Sequence, residues 1–361
     1  MALPNVTGLP GPYNVYIPAF QGKQQVKLIT SFARDPKKFA VNGLVTRTPT
    51  ELLAGNWMQL RPEALARIFT DPNSVIWVDG QPFPQGTHNA QDFRAVPYMC
   101  IRRAMPDYIG NQTKDQAVWP ILDTKVEALG HLMMTQRSQV FYTLALTSGN
   151  HLASHVKTAT AWSNIGGTGG FWSAGTIDNP IIKRSMMNVA DQIRKDTLAT
   201  VSYKDLTLVI SPPAAIAMSN SQEIHSYLAR SVFALAQVRG DKPSQNGEWG
   251  LPDKLYDMNL IVDPTLKTTS PRLDVPGTFS DIMDDNTALF LAAPGALPDN
   301  VGQVNSSFSS YHMFVYRGEE MVVKTQNFPW DELTKIGIYE TYDMKMVSPE
   351  TTALATELFS S

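Results

Sequence analysis

The chain has 361 residues, more than a single hydrophobic core usually serves, so two or more lobes are expected. It is 43% hydrophobic and only 17% charged, with 15 Met and a net charge of −3, a balance that suits a surface buried against other subunits. No segment is strongly basic, which argues against tight electrostatic binding of nucleic acid, and the single cysteine, Cys100, excludes an internal disulfide or a multi-cysteine zinc site and fits a reducing compartment.

Residues 1 to about 50 read as an arm. Pro4, Pro10, Pro12 and Pro18 oppose a helix, Gly8, Gly11 and Gly22 loosen the chain, and bursts such as Val26-Lys27-Leu28-Ile29 could add as a strand to another surface. The stretch lacks a basic leader and a continuous apolar core, so no signal peptide is expected there. No run approaches the roughly 20 apolar residues of a membrane span, and no membrane association is expected.

From Thr50 to Thr70 the spacing of Leu52, Leu53, Trp57, Leu60, Leu65 and Ile68 predicts a helix. Ser74 to Val78 (SVIWV) and Phe93 to Met105 (FRAVPYMCIRRAM) predict two extended runs joined by a Pro/Gly-rich tip. Together they make a projecting two-stranded loop, which is marginal alone and needs support, most naturally from a neighbouring subunit. Leu122 to Leu146 is the longest predicted helix. Its apolar stripe of Leu122, Val126, Leu129, Met133, Val140 and Leu144 is broken at Gln136 and Arg137, with Pro120 before it and Gly149-Asn150 after. At 1.5 Å per residue it is a strut of roughly 37 Å.

Thr176 to Arg230 carries the clearest order of elements. Asn179 and Pro180 open a helix through Ile182, Met186, Val189 and Ile193; Leu206 to Ile210 (LTLVI) is a buried strand; Ser211-Pro212-Pro213 stops it and caps the next helix; Ser221 starts another with Ile224, Tyr227 and Leu228 on one face. After Gly240 the chain reads as loops and short strands at Met258–Val262, Ala288–Ala292, Tyr311–Tyr316 and Met321–Lys324, with a last long strand from Ile336 to Val347. No internal repeat is evident, and the pattern is α+β rather than doubly wound.

No constellation for chemistry emerges. The cluster Gly166, Gly167, Gly169, Gly170 lacks the Lys-Ser/Thr of a phosphate loop and is read as an aromatic-anchored turn between Trp162 and Trp172. Ser173 in GFWSAG misses the nucleophile-elbow spacing because Phe occupies position 171. His151 and His155 are four apart, but Leu152 stands where a metalloprotease has its glutamate; these and His88, His131, His225 and His312 are read as structural or solvated. Asp281, Asp284 and Asp285 read as a solvated turn, and Glu340 and Asp343, at odd spacing on a strand, face opposite sides. Cys100 reads as a packed thiol, and Lys114, Lys157 and Lys183 carry no sign of activation. No catalytic residue, metal site or cofactor is expected, and an enzyme, for instance a hydrolase sited near Trp162 to Gly175, is the weaker reading.

The order of elements resembles a tailed-bacteriophage major capsid protein of the Hong Kong 97 type. DNPIIKRSMMNVADQI followed by LTLVISPPAAIAMSNSQEI is similar to that family's helix and the strand entering its axial domain. GLPDKLYDMNLIVDP and DNTALFLAAPG resemble its later axial strands, and YETYDMKMVSPETTALA its closing peripheral strand. The resemblance implies an α+β Hong Kong 97-like fold with an N-terminal arm (1–70), an extended loop (71–110), a peripheral domain (111–205) with spine helix 122–146, an axial domain (206–330) and a return to the peripheral domain (331–361). It further implies a subunit that self-assembles as hexamers and pentamers into the icosahedral head shell around double-stranded DNA. Scaffolding, portal and decoration proteins are its implied partners, and its place is the virion after assembly in the host cytoplasm. A tube, decoration or portal-associated virion protein is the alternative. No family motif here is strict enough to carry over a functional residue.

Overall fold

The computed structural model describes residues 39–60, 93–110, 121–164, 169–268, 277–294, 309–328 and 333–360. Two sheets organise it. The first has five strands built around the 14-residue strand β14 (Leu333–Met346). Along one side of β14 lie, end to end, β12 (Tyr311–Tyr316) and β13 (Val322–Phe328); along the other lies β4 (Ile101–Gly110), antiparallel throughout. Strand β1 (Thr46–Thr50) adds parallel to β12. Burial alternates along β14: Ile336, Ile338, Glu340, Tyr342 and Met344 point inward, and the odd-numbered Lys335, Tyr339 and Asp343 point out.

Helix α2 (Ile121–Ala145) lies on the inward face. Val126, Leu129 and Met133 of the expected stripe are buried, but further along Met134, Phe141, Tyr142 and Ala145 replace the half-buried Val140 and Leu144. The buried face is wider than one stripe because the helix packs on the first sheet, with Phe141 edge-on to Tyr311 of β12, and shares its core with Val209, Leu289 and Leu354 of the second. The expected break at Arg137 is no break: its side chain is 1% exposed and sits inside the core.

Of the segment read as an arm, residues 39–60 belong to the body. Phe39, Val41 and Leu44, around the short helix α1 (Val41–Leu44), are buried against α2 and the first sheet. The helix expected over 50–70 is not formed over its described part, where Ala54–Leu60 is strand β2. Its partner is β3 (Phe93–Met99), so the second expected extended run pairs with Ala54–Leu60, and the expected first run, 74–78, lies outside the described residues. Leu52 and Leu53, which set the apparent helical spacing, are 64% and 52% exposed. Trp57 instead alternates with Met58 in strand fashion, and seven cross-strand pairs to the β-rich FRAVPYM override the local pattern.

The second sheet has six strands in the order β5 (Val156–Thr158), β15 (Ala353–Thr356), β11 (Thr287–Ala292), β6 (Leu206–Ile210), β8 (Met258–Val262), β7 (Lys254–Leu255). Both faces are covered, which is why LTLVI and TALFLA are unbroken apolar runs. Leu208, Ile210, Ala288 and Phe290 meet α3 (Ala159–Trp162), α4 (Ile181–Asp196), α5 (Pro212–Ser219) and α6 (Gln222–Arg230). Val209, Leu289, Leu291 and Leu354 point the other way and join the core of α2 and the first sheet.

Serines start three of these helices as expected of N-caps: Ser211 accepts from the Ala214 amide, Ser221 from Ile224, and Ser231 from Ala234 at the head of α7 (Val232–Val238). Helix α4 differs. Pro180, not Asn179, is its N-cap, and no side chain of its own caps it. The carboxylate of Glu223, on α6 and 2% exposed, accepts the Ile182 and Lys183 amides at 2.8 Å each and the Tyr256 hydroxyl at 2.9 Å. Gly175 lets it approach, since a Cβ there would lie 2.5 Å from Glu223 Oε2. Glu223→Ala, which strands two buried amides, is expected to cost about 2–3 kcal/mol in urea denaturation. Glu223→Gln, keeping one acceptor, is expected to lose less.

Candidate assembly surfaces

The residues weighed for chemistry are placed apart and tied into the fold. His151 bonds Thr352 Oγ1 (2.9 Å) and the Ala145 carbonyl (2.6 Å), and burial holds it below the usual histidine range. His155 bonds the Thr352 carbonyl and Asp196, both at 2.6 Å. The two histidines tie the end of α2, the C-terminal strand and the end of α4 together, the hydrogen-bonded structural role expected of them. Gly166 and Gly167 lie outside the described residues. Gly169 and Gly170 are where they are because a Cβ would strike Thr160 O at 2.2 Å and Ile181 Cδ1 at 2.6 Å. Ser173 is exposed in a one-turn 3-10 helix, Trp172–Ala174, with no histidine or carboxylate bonded to it among the described residues.

Asp284 closes a turn onto the Asn286 amide at 3.0 Å, and burial, then Asp285 and Asp263, push Asp281 upward. Glu340 and Asp343 do face opposite sides: Glu340 is buried, while Asp343 accepts the Met99 amide at 2.8 Å. Cys100 is buried, donates to the Phe314 carbonyl at 3.4 Å, and burial raises its thiol. Lys157 and Lys183 lie over the rings of Trp162 and Tyr256, and Lys114 is outside the described residues. Among the described residues no three His, Cys, Asp or Glu side chains are grouped to hold a metal, and no helix is long and apolar enough to cross a membrane.

What the fold does display is exposed apolar surface. Strands β2 and β3, the stem of the long connection between them, lie across the outer face of the first sheet. Trp57, Val96 and Tyr98 point down and cover β12: Tyr98 stacks on Phe314 at 4.5 Å, and Trp57 tilts against Phe314 and His312 at 5.7 Å each. Arg94 pairs with the Glu350 carboxylate and reaches the Val347 carbonyl. The support expected from a neighbour is thus supplied, for the stem, by the chain's own sheet. The upper side of the stem is left open, with Met58 51% and Met99 64% exposed beside Leu52 and Leu53.

Two more elements leave large apolar side chains in solvent: the ribbon of β9 (Leu266–Thr268) and β10 (Phe279–Asp281), with Phe279 75% exposed, and the head of α7, with Val232 85% and Phe233 59% exposed. The uncovered end of the first sheet's outer face is a ladder of cations over tyrosines. Arg102 and Lys324 lie 5.0 and 4.8 Å from the Tyr339 ring, and Lys335 lies 5.5 Å from Tyr108.

Behind these surfaces is a buried charge network. Arg137 of α2 pairs with Glu340 of β14, which is fully buried, and donates to Asn42 Oδ1 at 3.3 Å. Arg47 also reaches Asn42 (3.1 Å) and pairs with Glu320 at 3.0 Å. Burial pushes the Glu340 carboxyl up, against the pull of Arg137. The network fastens α1, β1, α2 and β14 at one point. An arginine interrupting an apolar stripe, and a glutamate among the alternating apolar positions of a strand 203 residues on, were its traces in the sequence.

No family model matches the chain, and no curated protein matches it. Solved structures do. A phage-related protein from Bordetella bronchiseptica RB50 is similar over 92% of this chain and 97% of its own, at 12% identity and a TM-score of 0.59. The capsid of the cyanophage P-SCSP1u is similar over 88% of each chain, at 8% identity and a TM-score of 0.50. The fold is the α+β Hong Kong 97-like capsid fold.

Proposed function

We propose that this chain is a major capsid protein, a structural subunit and not an enzyme, that self-assembles as hexamers and pentamers into an icosahedral head shell enclosing double-stranded DNA. The observation that carries the reading is the capsid fold together with three separate elements, the loop stem, the β9–β10 ribbon and the head of α7, that leave large apolar side chains open on one subunit. In a shell these meet sister copies. Interfaces of ordinary size bury about 1,600 Å² each, and several weak contacts per subunit sum to a stable particle.

In this reading residues 1–70 hold the arm, 71–110 the extended loop, 111–205 and 331–361 the peripheral domain around spine helix α2, and 206–330 the axial domain. Strands β5 and β15 complete the axial sheet from outside that last segment. The mildly acidic chain encloses DNA without gripping it. Scaffolding, portal and decoration proteins are its candidate partners, the host cytoplasm its place of assembly and the virion its destination.

Electron microscopy of the purified full chain tests this: closed shells are expected, and tubes or isolated small oligomers would overturn it. Val232→Asp with Phe233→Asp changes two exposed side chains, so the subunit is expected to keep its denaturation midpoint while shell yield falls at least tenfold by sedimentation.

A further inference from the structure

His312 sits where the loop stem meets the sheet. Its ring is 1% exposed, closed in by Trp57 above, with ring centroids 5.7 Å apart, and by Phe314 beside it at 6.0 Å. Nδ1 bonds Thr48 Oγ1 at 3.0 Å, and Nε2 is buried with no partner. The charged groups around it are already committed to one another. On β14, Lys345 pairs with Asp343 (3.3 Å); on β3, Arg94 pairs with Glu350 of the 349–351 turn. On β1, Arg47 points to the opposite face and pairs with Glu320. Its neighbours across the ladder and above the ring, Thr46, Thr48 and Trp57, are neutral. An imidazolium needs two acceptors or water, and the closed ring is bonded through Nδ1 alone.

We propose that the loop stem is an acid-released clasp: protonation of His312 is tolerated only when β2–β3 lifts off β12 and lets water reach Nε2, so falling pH frees the extended loop while the body stays folded. Burial holds His312 at about 4 in the closed clasp, against about 6.5 when solvated. Because the closed value is depressed, closure is fully favoured above about pH 6.5 and is lost as pH falls toward 4. By linkage, the closed-to-open ratio drops on the order of 30-fold between pH 7 and pH 5.

Hydrogen exchange of the full chain at pH 7.0 and 5.0, corrected for intrinsic rates, tests this. Peptides covering 54–60 and 93–99 are expected to lose protection by roughly that factor while α2 keeps its own. His312→Phe and the smaller change His312→Gln, neither of which titrates, are both expected to abolish the pH response. Equal loss of protection in wild type and either folded variant, loss in α2 alongside the stem, or no response in the wild type would each overturn the clasp. The measurement needs no shell, so a failure to form shells would bear on the assembly reading and not on this one.

Discussion

Replacing Arg137 by methionine is expected to destabilise the subunit by about 3–5 kcal/mol, a large share of the stability of a typical domain. The arginine is 1% exposed and its partner Glu340 fully buried, so the variant leaves a carboxylate in the core without its cation. Hydrogen-bond satisfaction is incomplete even in the intact pair: Arg137 Nε and Glu340 Oε2 have no partner. A half-satisfied buried pair contributes little net stability and much penalty when halved. The double variant Arg137→Met, Glu340→Leu is therefore expected to recover most of the loss, to within about 1–2 kcal/mol of the parent in urea denaturation. If the double variant is as unstable as the single one, the cost lies in packing and the electrostatic account fails.

Deleting residues 1–38 and deleting residues 1–50 are expected to have opposite consequences for folding. The shorter deletion stops before Phe39 and leaves in place the contacts of α1 and β1 with the described residues. Its far-ultraviolet circular dichroism and denaturation midpoint are expected to match the full chain, with closed shells lost. The longer deletion removes Phe39, Val41 and Leu44 from the core, and at about 1.5–3 kcal/mol for each large apolar side chain this is roughly 6 kcal/mol before the β1 ladder is counted. That chain is expected to be insoluble or molten. Normal shells from the 1–38 deletion would remove the arm from assembly, and a folded 1–50 deletion would show that α1 and β1 are dispensable.

Where periodicity was decided by one surface, it could be read directly. LTLVI, the serine-capped helices and the long closing strand are each one element against one or two uniform faces. Helix α2 was legible in extent but not in rotation, because its buried face, which takes in Met134, Phe141 and Tyr142, is shared between two sheets. The stretch from Leu52 to Leu60 misled because its apolar residues are split between a solvent-facing turn and a strand whose partner lies more than thirty residues away. No local pattern encodes that pairing. Asn179 misled for a related reason: its helix is capped from another helix, by Glu223 some forty residues on. For His151, His155, Gly169 and Gly170 the sequence offered only spacing, and it is their contacts with residues distant in the chain that show how each is tied into the fold.

The placement of β15 has a bearing on timing. Residues 353–356 do not edge the six-stranded sheet but slot between β5 and β11, so that sheet stays split until they have been synthesised. Until then β5 has no partner strand and β11 has only β6 in that sheet, so its closure is expected to be the last step of folding.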